Sequence, residues 1–282
     1  MTIQITAEAV FSALPVRAPQ SHKGTYGKVL AVCGCAPYRG AAALSCLGAL
    51  RAGAGLVTLA ASECVLNTVA GRILAATLLP LPDEAGLALA AGGATVCLAG
   101  CGKQADEATA HQVRFLLQHA RAMVLDAGGL CSLAGEPDAL AGFAAHKPLI
   151  VTPHPGEMAR LAGIPVPQVL QMPADVARSY AAKTGAVVVL KTHRTLIATP
   201  GGTLYQNTTG NPGLARGGSG DILAGIIAGL FAQGLSPEQA AVCGVYLHGL
   251  AADRCAARRS MQGMLPEDIF DDLCAVFLEN HR

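Results

Sequence analysis

One carboxylate, Asp221, stands inside a glycine-rich run, Asn211-Pro212-Gly213-Leu214-Ala215-Arg216-Gly217-Gly218-Ser219-Gly220-Asp221. An apolar stretch of helical character, residues 222–231, follows at once. Glycines without a Cβ let the backbone approach a phosphate closely, and the first N–H groups of a following helix point at it. The helix dipole adds partial positive charge at the same place. A carboxylate beside such an anion hole is repelled by the anion, so its presence calls for a chemical use. The use that fits is general-base catalysis, removing a proton from a hydroxyl about to meet phosphorus. The plain structural alternative is a glycine-rich turn in which Asp221 only starts a helix.

Four further stretches carry polar residues in positions that suit a site. Thr152-Pro153-His154-Pro155-Gly156-Glu157 displays an imidazole between two prolines, which fix φ on either side and remove backbone donors. Glu157 falls in the first turn of the next helix, where an acidic residue is favoured as a cap. Lys191 ends an apolar run and leads into Thr192-His193-Arg194-Thr195. Gly100-Cys101-Gly102 and Asp126-Ala127-Gly128-Gly129 each follow a strand-like segment, as does 34–40, which precedes Ala41. Asp126 either caps the turn after it or helps to position a cation.

These motifs resemble the ribokinase-like superfamily and, within it, the ADP/ATP-dependent NAD(P)H-hydrate dehydratases. The run 211–225 is similar to the family's N-P-G-x-A-x-G-G-[ST]-G-D-x-L-A-G. Residues 23–30 resemble K-G-x-x-G-x-V-L, 40–57 resemble G-A-A-x-L followed by A-L-R-x-G-A-G-L-V, and 152–157 are the T-P-H-P-G-E signature. The chain departs from the pattern at Cys101, Lys103 and Gln104 in the G-P-G-L-G loop, at Gly128 in D-A-D-G-L, and at Thr192 in K-G-x-x-T.

The resemblance implies a ribokinase-like fold and a metabolite-repair lyase that restores NADH or NADPH from their hydrates, NADHX and NADPHX. It implies a catalytic group of Asp221 with Gly218, Ser219 and Gly220. The dinucleotide would be held by Ala41, Gly102, His154 and Asp221. The nucleotide would be held by Lys191, Thr192, His193, Arg194, Thr195 and Gly220. Magnesium (Mg2+) is the implied cofactor, without an assigned protein ligand, and ADP is preferred to ATP as co-substrate. About twenty residues precede the first long strand-like run, which leaves no room for an epimerase domain, so the stand-alone form is expected. A small-molecule kinase acting on a vitamin precursor would share the anion hole and Asp221 but lacks reason for the T-P-H-P-G-E loop. A nucleotide sensor without catalysis would gain nothing from Asp221.

Composition sets the remaining bounds. The 282 residues are 14% charged, with 20 Lys+Arg against 19 Asp+Glu, so no basic stripe for nucleic acid is expected. So little charge leaves apolar faces for subunit contacts, and a homo-oligomer, a tetramer, is expected. No run reaches the ~18 apolar residues of a membrane helix, and the start of the chain has no signal-peptide pattern. Ten scattered cysteines without a CxxC pair fit reduced thiols in a cytoplasmic protein.

The elements that must position these motifs alternate. Short apolar runs at 29–33, 56–60, 95–99, 123–125, 149–151 and 187–190 have strand length and β-branched content. Helical patterns lie at 41–51, 105–119, 157–161 and 174–183. Such alternation predicts a central, mostly parallel sheet flanked by helices on both faces. Residues 195–198 and 203–206, around Thr199-Pro200-Gly201-Gly202, predict an antiparallel edge hairpin. Two long helices, near 220–233 and 237–258, follow; Ser236-Pro237-Glu238-Gln239 begins the second as a capping box. An apolar helix is also expected at 7–14. Nothing marks a linker, so residues 1–282 read as a single domain with its site beyond the carboxyl ends of the parallel strands.

Overall fold

The computed structural model describes residues 2–280. The chain begins with β1 (Thr2–Gln4) and α1 (Ala7–Ala13), then β2 (Lys28–Val32), α2 (Arg39–Arg51), β3 (Leu56–Ala61), α3 (Glu63–Val69) and β4 (Thr77–Pro80). Next come α4 (Glu84–Gly93), β5 (Val96–Ala99), α5 (Glu107–His119), β6 (Met123–Leu125), α6 (Ala127–Cys131), α7 (Pro137–Ala144) and β7 (Leu149–Val151). The remainder is α8 (Pro155–Ala162), α9 (Val166–Gln171), α10 (Pro173–Thr184), β8 (Val187–Leu190), β9 (Leu196–Ala198), β10 (Leu204–Gln206), α11 (Ser219–Ala232), α12 (Pro237–Arg259) and α13 (Ile269–Glu279).

All ten strands join one sheet in the order β1-β10-β9-β8-β7-β6-β5-β2-β3-β4. Pairing from β8 to β4 is parallel, and β8–β9 and β9–β10 are antiparallel. The hairpin 196–206 therefore forms as expected, but it is not the rim. Thr2–Gln4 pairs in parallel with β10 and takes the edge.

Side chains on the strands alternate between two cores. Val29, Ala31, Leu98 and Val124 face a layer built from α2, α11, α12 and α13, whereas Leu30, Val32, Cys97 and Leu125 face α4, α5, α7, α8 and α10. Burial on both faces is why the central strands read as unbroken apolar runs in the sequence.

Two features of this packing place the site. The chain leaves β2 toward β3 and β4 and returns on its other side as β5, so the carboxyl ends of β2 and β5 diverge. That reversal opens a crevice in which ligands bind in sheets of this kind. Gly34 N donates to Cys101 O at 2.7 Å and ties the two loops together. Helices α2 and α11 cross nearly backbone to backbone. A Cβ on Gly225 would lie 2.1 Å from Ser45 O, and one on Gly229 would lie 2.5 Å from Ala49 O. The start of α11 is thereby carried to the same edge of the sheet as the start of α2.

Candidate functional site

The glycine run forms an open helix start. Gly218 is the N-cap of α11 with φ 103°, and no side chain caps the first turn. A Cβ there would also lie 2.7 Å from Leu44 Cδ1, a side-chain end that can turn away, so it is the positive φ that requires glycine. Ile222 N already donates to Gly218 O and Ser219 N reaches Arg216 O at 3.4 Å. Among the described residues, the N–H groups of Gly220 and Asp221 have no acceptor. These are the free donors of a helix N-terminus, and they suit an anion. Ser219 Oγ, in a buried residue, also lacks a partner.

Asp221, in that first turn, faces a buried charge centre at the ends of β5, β6, β7 and β8. Asp126 Oδ1 accepts from Lys191 Nζ at 2.6 Å and from Thr152 Oγ1 at 2.7 Å, while the Cys101 thiol lies 3.6 Å from its Oδ2. Glu157 Oε2 is 3.9 Å from the same ammonium. Burial, and then the Asp126 charge, push the Asp221 carboxyl up to about 7, against the pull of Lys191 and Cys101. Burial would lower the Lys191 ammonium, but Asp126 and Glu157 outweigh it and hold it above its ordinary value. A hydrogen bond with Cys33, together with burial, keeps the Cys101 thiol protonated. The centre thus pairs a fixed cation with a carboxylate that exchanges its proton near neutrality, the balance a general base needs.

Lys191 enters the site as expected; a Cβ on Gly220 would lie 3.3 Å from its Nζ. Thr192 Oγ1 donates to Arg194 O and Thr195 Oγ1 to Thr192 O, at 2.8 and 3.2 Å, folding 192–195 into a tight turn beside it. His193 and Arg194 are exposed in that turn.

Ala41 and Gly102 meet across the crevice. A Cβ on Gly102 would lie 2.5 Å from Ala41 Cβ and 2.7 Å from Tyr38 O. His154 behaves differently. Its Nδ1 accepts from Gly156 N and Glu157 N at 3.0 and 3.3 Å, and Glu157 Oε2 accepts from His154 N at 2.8 Å. The pair is the capping box of α8, which leaves the ring half exposed with one nitrogen committed to the helix. Glu157 is both the cap expected from its position and a part of the Lys191 charge network.

The departures from the motifs have local causes. A Cβ on Gly128 would lie 2.0 Å from Lys103 O, so this loop cannot accept an aspartate at 128. Cys101 fills the floor between Asp126 and Cys33 with no exposed surface. Asp126 makes no side-chain cap to α6, and its use is as the partner of Lys191. Thr152, unassigned in the sequence, fixes Asp126; its only signal there was membership of the T-P-H-P-G-E run.

Magnesium is the cofactor implied by the motifs. The acceptor atoms of Asp126, Asp221 and Cys101 lie within 4.8 Å of one another. The two carboxylates suit a hard oxygen-seeking cation, while the thiol does not. Asp126 offers the carboxylate for magnesium, with Asp221 beside it left free to act as the base.

A mostly parallel sheet with a helix-borne aspartate behind an open glycine turn is the arrangement of a ribokinase-like fold. The comparisons narrow this: over residues 29–274 the chain matches the family described as NAD(P)H-hydrate dehydratase. It is 34% identical to the ADP-dependent (S)-NAD(P)H-hydrate dehydratase of Bacillus subtilis, covering 96% of each chain. It is 42% identical to the bifunctional NAD(P)H-hydrate repair enzyme of Moorella thermoacetica over 95% of this chain and 52% of that one. The chain therefore spans about half the length of its bifunctional relatives. A crystal structure of the Bacillus subtilis ADP/ATP-dependent enzyme, co-crystallised with ATP and Mg2+, superposes with a TM-score of 0.87, 32% identity and 99% of both chains covered. A hydroxyethylthiazole kinase from Pyrococcus horikoshii, 14% identical with a TM-score of 0.62, shares the fold. The chain belongs to the NAD(P)H-hydrate dehydratase family.

Proposed function

We propose that this chain is a metabolite-repair lyase that converts NADHX and NADPHX to NADH and NADPH at the expense of ADP. The observation that carries the reading is Asp221, a carboxylate raised to about 7 at the mouth of an uncapped helix N-terminus. Asp221 takes the proton of the hydroxyl on the hydrated nicotinamide ring. That oxygen bonds to the terminal phosphorus of ADP, and the bond to the bridging oxygen breaks to release AMP. The lone pair of the ring nitrogen then expels phosphate, and loss of a proton from the adjacent ring carbon restores the dihydronicotinamide. The net change is hydrate plus ADP to reduced dinucleotide, AMP and phosphate.

The free N–H groups of Gly220 and Asp221, with Gly218 and Ser219 shaping the turn, receive the transferring phosphoryl group. Lys191 and the turn 192–195 hold the nucleotide, while Ala41, Gly102 and the exposed part of the His154 ring hold the dinucleotide. Asp126 would hold magnesium, which would supply charge neutralisation at the phosphoryl oxygens.

Naming of the Neisseria meningitidis and Xanthomonas campestris relatives as ADP-dependent supports ADP as a co-substrate. A cytoplasmic homotetramer completes the proposal. No described helix is long and apolar enough to cross a membrane, and Leu74, Leu89 and Leu278 are large apolar residues left exposed on the single chain. Light scattering that finds a monomer at micromolar concentration would refute the oligomer.

The test of function incubates the protein with hydrated NADH, Mg2+ and either ADP or ATP, and follows the return of near-ultraviolet absorbance of the reduced ring. Return that requires a nucleotide, fastest with ADP, is expected. No return with either nucleotide, alongside phosphorylation of a vitamin-precursor alcohol, would replace the dehydratase by a small-molecule kinase.

A further inference from the structure

The loop that delivers the chain to the anion hole is held from behind by α12. Thr209 Oγ1 donates to Tyr246 O at 2.8 Å, and a Cβ on Gly249 would lie 2.3 Å from Thr209 Oγ1 and 2.9 Å from Gly210 N. One turn further along α12, Asp253 spends both carboxylate oxygens on this loop. Its Oδ2 accepts from Gly210 N at 2.8 Å and its Oδ1 from Asn211 Nδ2 at 2.9 Å. Asn211 relays the contact, because its Oδ1 accepts from Gly213 N at 2.9 Å and caps the short 3-10 turn Pro212–Leu214. Four residues after that turn the chain reaches Gly218 and the open end of α11.

We propose that Asp253 and Asn211 are positioning residues for phosphoryl transfer, an inference that rests on the reading of the Gly217–Asp221 region as the phosphoryl site. Gly210 carries a positive φ of 102° and an N–H that faces α12, and Asn211 presents a second donor beside it. The carboxylate of Asp253 satisfies both, one oxygen to each donor. With the loop pinned at 210, 211 and 213, the N–H groups of Gly220 and Asp221 are held in place before any nucleotide arrives. Such preorganisation is what anion holes supply to transition states. Without the clamp the loop shifts, and a misplacement of about an ångström costs on the order of 10²-fold in rate.

The pairing makes a specific test possible. In Asp253→Asn the new amide faces the amide of Asn211, and one of the three bonds is lost. In the exchanged pair, Asn211→Asp with Asp253→Asn, all three return: Gly210 N to the 253 carbonyl, the 253 amide to the 211 carboxylate, and Gly213 N to its other oxygen. We expect Asp253→Asn to lower kcat by about tenfold or more while KM for the hydrated dinucleotide holds, since Ala41 and Gly102 lie on other loops. The exchanged pair should recover kcat to within about threefold of wild type. Melting temperature, ADP titration and amide exchange across 210–221 are read in parallel. Faster exchange and weaker ADP binding in Asp253→Asn, both restored by the exchanged pair, test the clamp even if the dehydratase assay is silent in wild type. Silence there would refute the activity, not the clamp. Wild-type kcat and exchange in Asp253→Asn would overturn the proposal, as would an exchanged pair that is unfolded or no better than the single variant.

Discussion

Two helix N-termini open on the same edge of the sheet, and they are finished in opposite ways. Helix α8 closes its own end: His154 accepts from Gly156 N and Glu157 N, and Glu157 returns a bond to His154 N. Helix α11 leaves its end open, with Gly218 as cap and the N–H groups of Gly220 and Asp221 unspent. The first arrangement stores no unmet hydrogen bonding and serves as a rigid mount for Glu157 and the outer edge of an imidazole. The second keeps donors in reserve for a ligand. The lesson is that an acidic residue in a first turn acquires its meaning from whether the turn is already capped. Glu157 satisfies its helix, whereas Asp221 has no such task and is left to act as a base.

The strongest way to break this contrast is at Asp221. Asp221→Asn keeps the size and removes the base, and turnover should fall by at least ~10²-fold with ADP binding retained. Its fold should hold. Because the folded carboxyl titrates at about 7, above its ordinary value, its favourable contribution to stability is present below the ordinary carboxylate range and is lost as pH rises through 7. Above pH 7 the Asn variant should therefore melt at or above the wild-type temperature. Near-normal turnover in that variant would reduce Asp221 to a helix-start residue.

Next in size is Lys191→Met. Loss of the ammonium should cut turnover by roughly 10–10²-fold. It should also move the acid limb of the rate profile to higher pH, because Lys191 favours the ionised form of Asp221. An unmoved limb would separate the two groups.

Gly218→Ala places a Cβ at φ 103° and against Leu44, so it should destabilise the fold by about 1–3 kcal/mol. ADP affinity should fall with it, as measured by thermal melts and titration. A stable variant with unchanged ADP binding would show that the open end of α11 is not the anion site.

The smallest effect on stability belongs to the capped helix. His154→Ala removes a cap worth about 1 kcal/mol of stability. It should weaken NADPH, used as a product mimic, more than ADP, by roughly 5- to 150-fold. Equal weakening of both would make His154 a cap and nothing more.

The sequence and the structure agree where one strong local signal decides the outcome. Runs 123–125, 149–151 and 187–190 appear as strands with the same bounds because apolar side chains on both faces leave no other home for them. The glycine run around Asp221 is legible for a similar reason, since its conformation is dictated residue by residue. What was not legible depends on partners distant in the chain. Thr2–Gln4 and Thr77–Pro80 are edge strands of three and four residues, too short and too exposed to show a pattern. The salt bridge of Asp126 with Lys191 joins the ends of two strands 65 residues apart, and no local spacing announces it. Cys101 looks like a defect of its loop until Asp126 and Cys33 are seen around it. His154 looks like a displayed ring, and only the geometry of Gly156 and Glu157 reveals the cap.

The most direct test is the pH dependence of kcat/KM for nucleotide-driven dehydration, measured on wild type and Lys191→Met across the range below and above neutrality. The account predicts an acid limb in wild type with a midpoint at about 7, set by the half-buried Asp221 carboxyl, and a limb at higher pH in Lys191→Met. A wild-type profile that stays flat down to the ordinary carboxylate range would contradict it, because the base would then not be the carboxylate at the open end of α11.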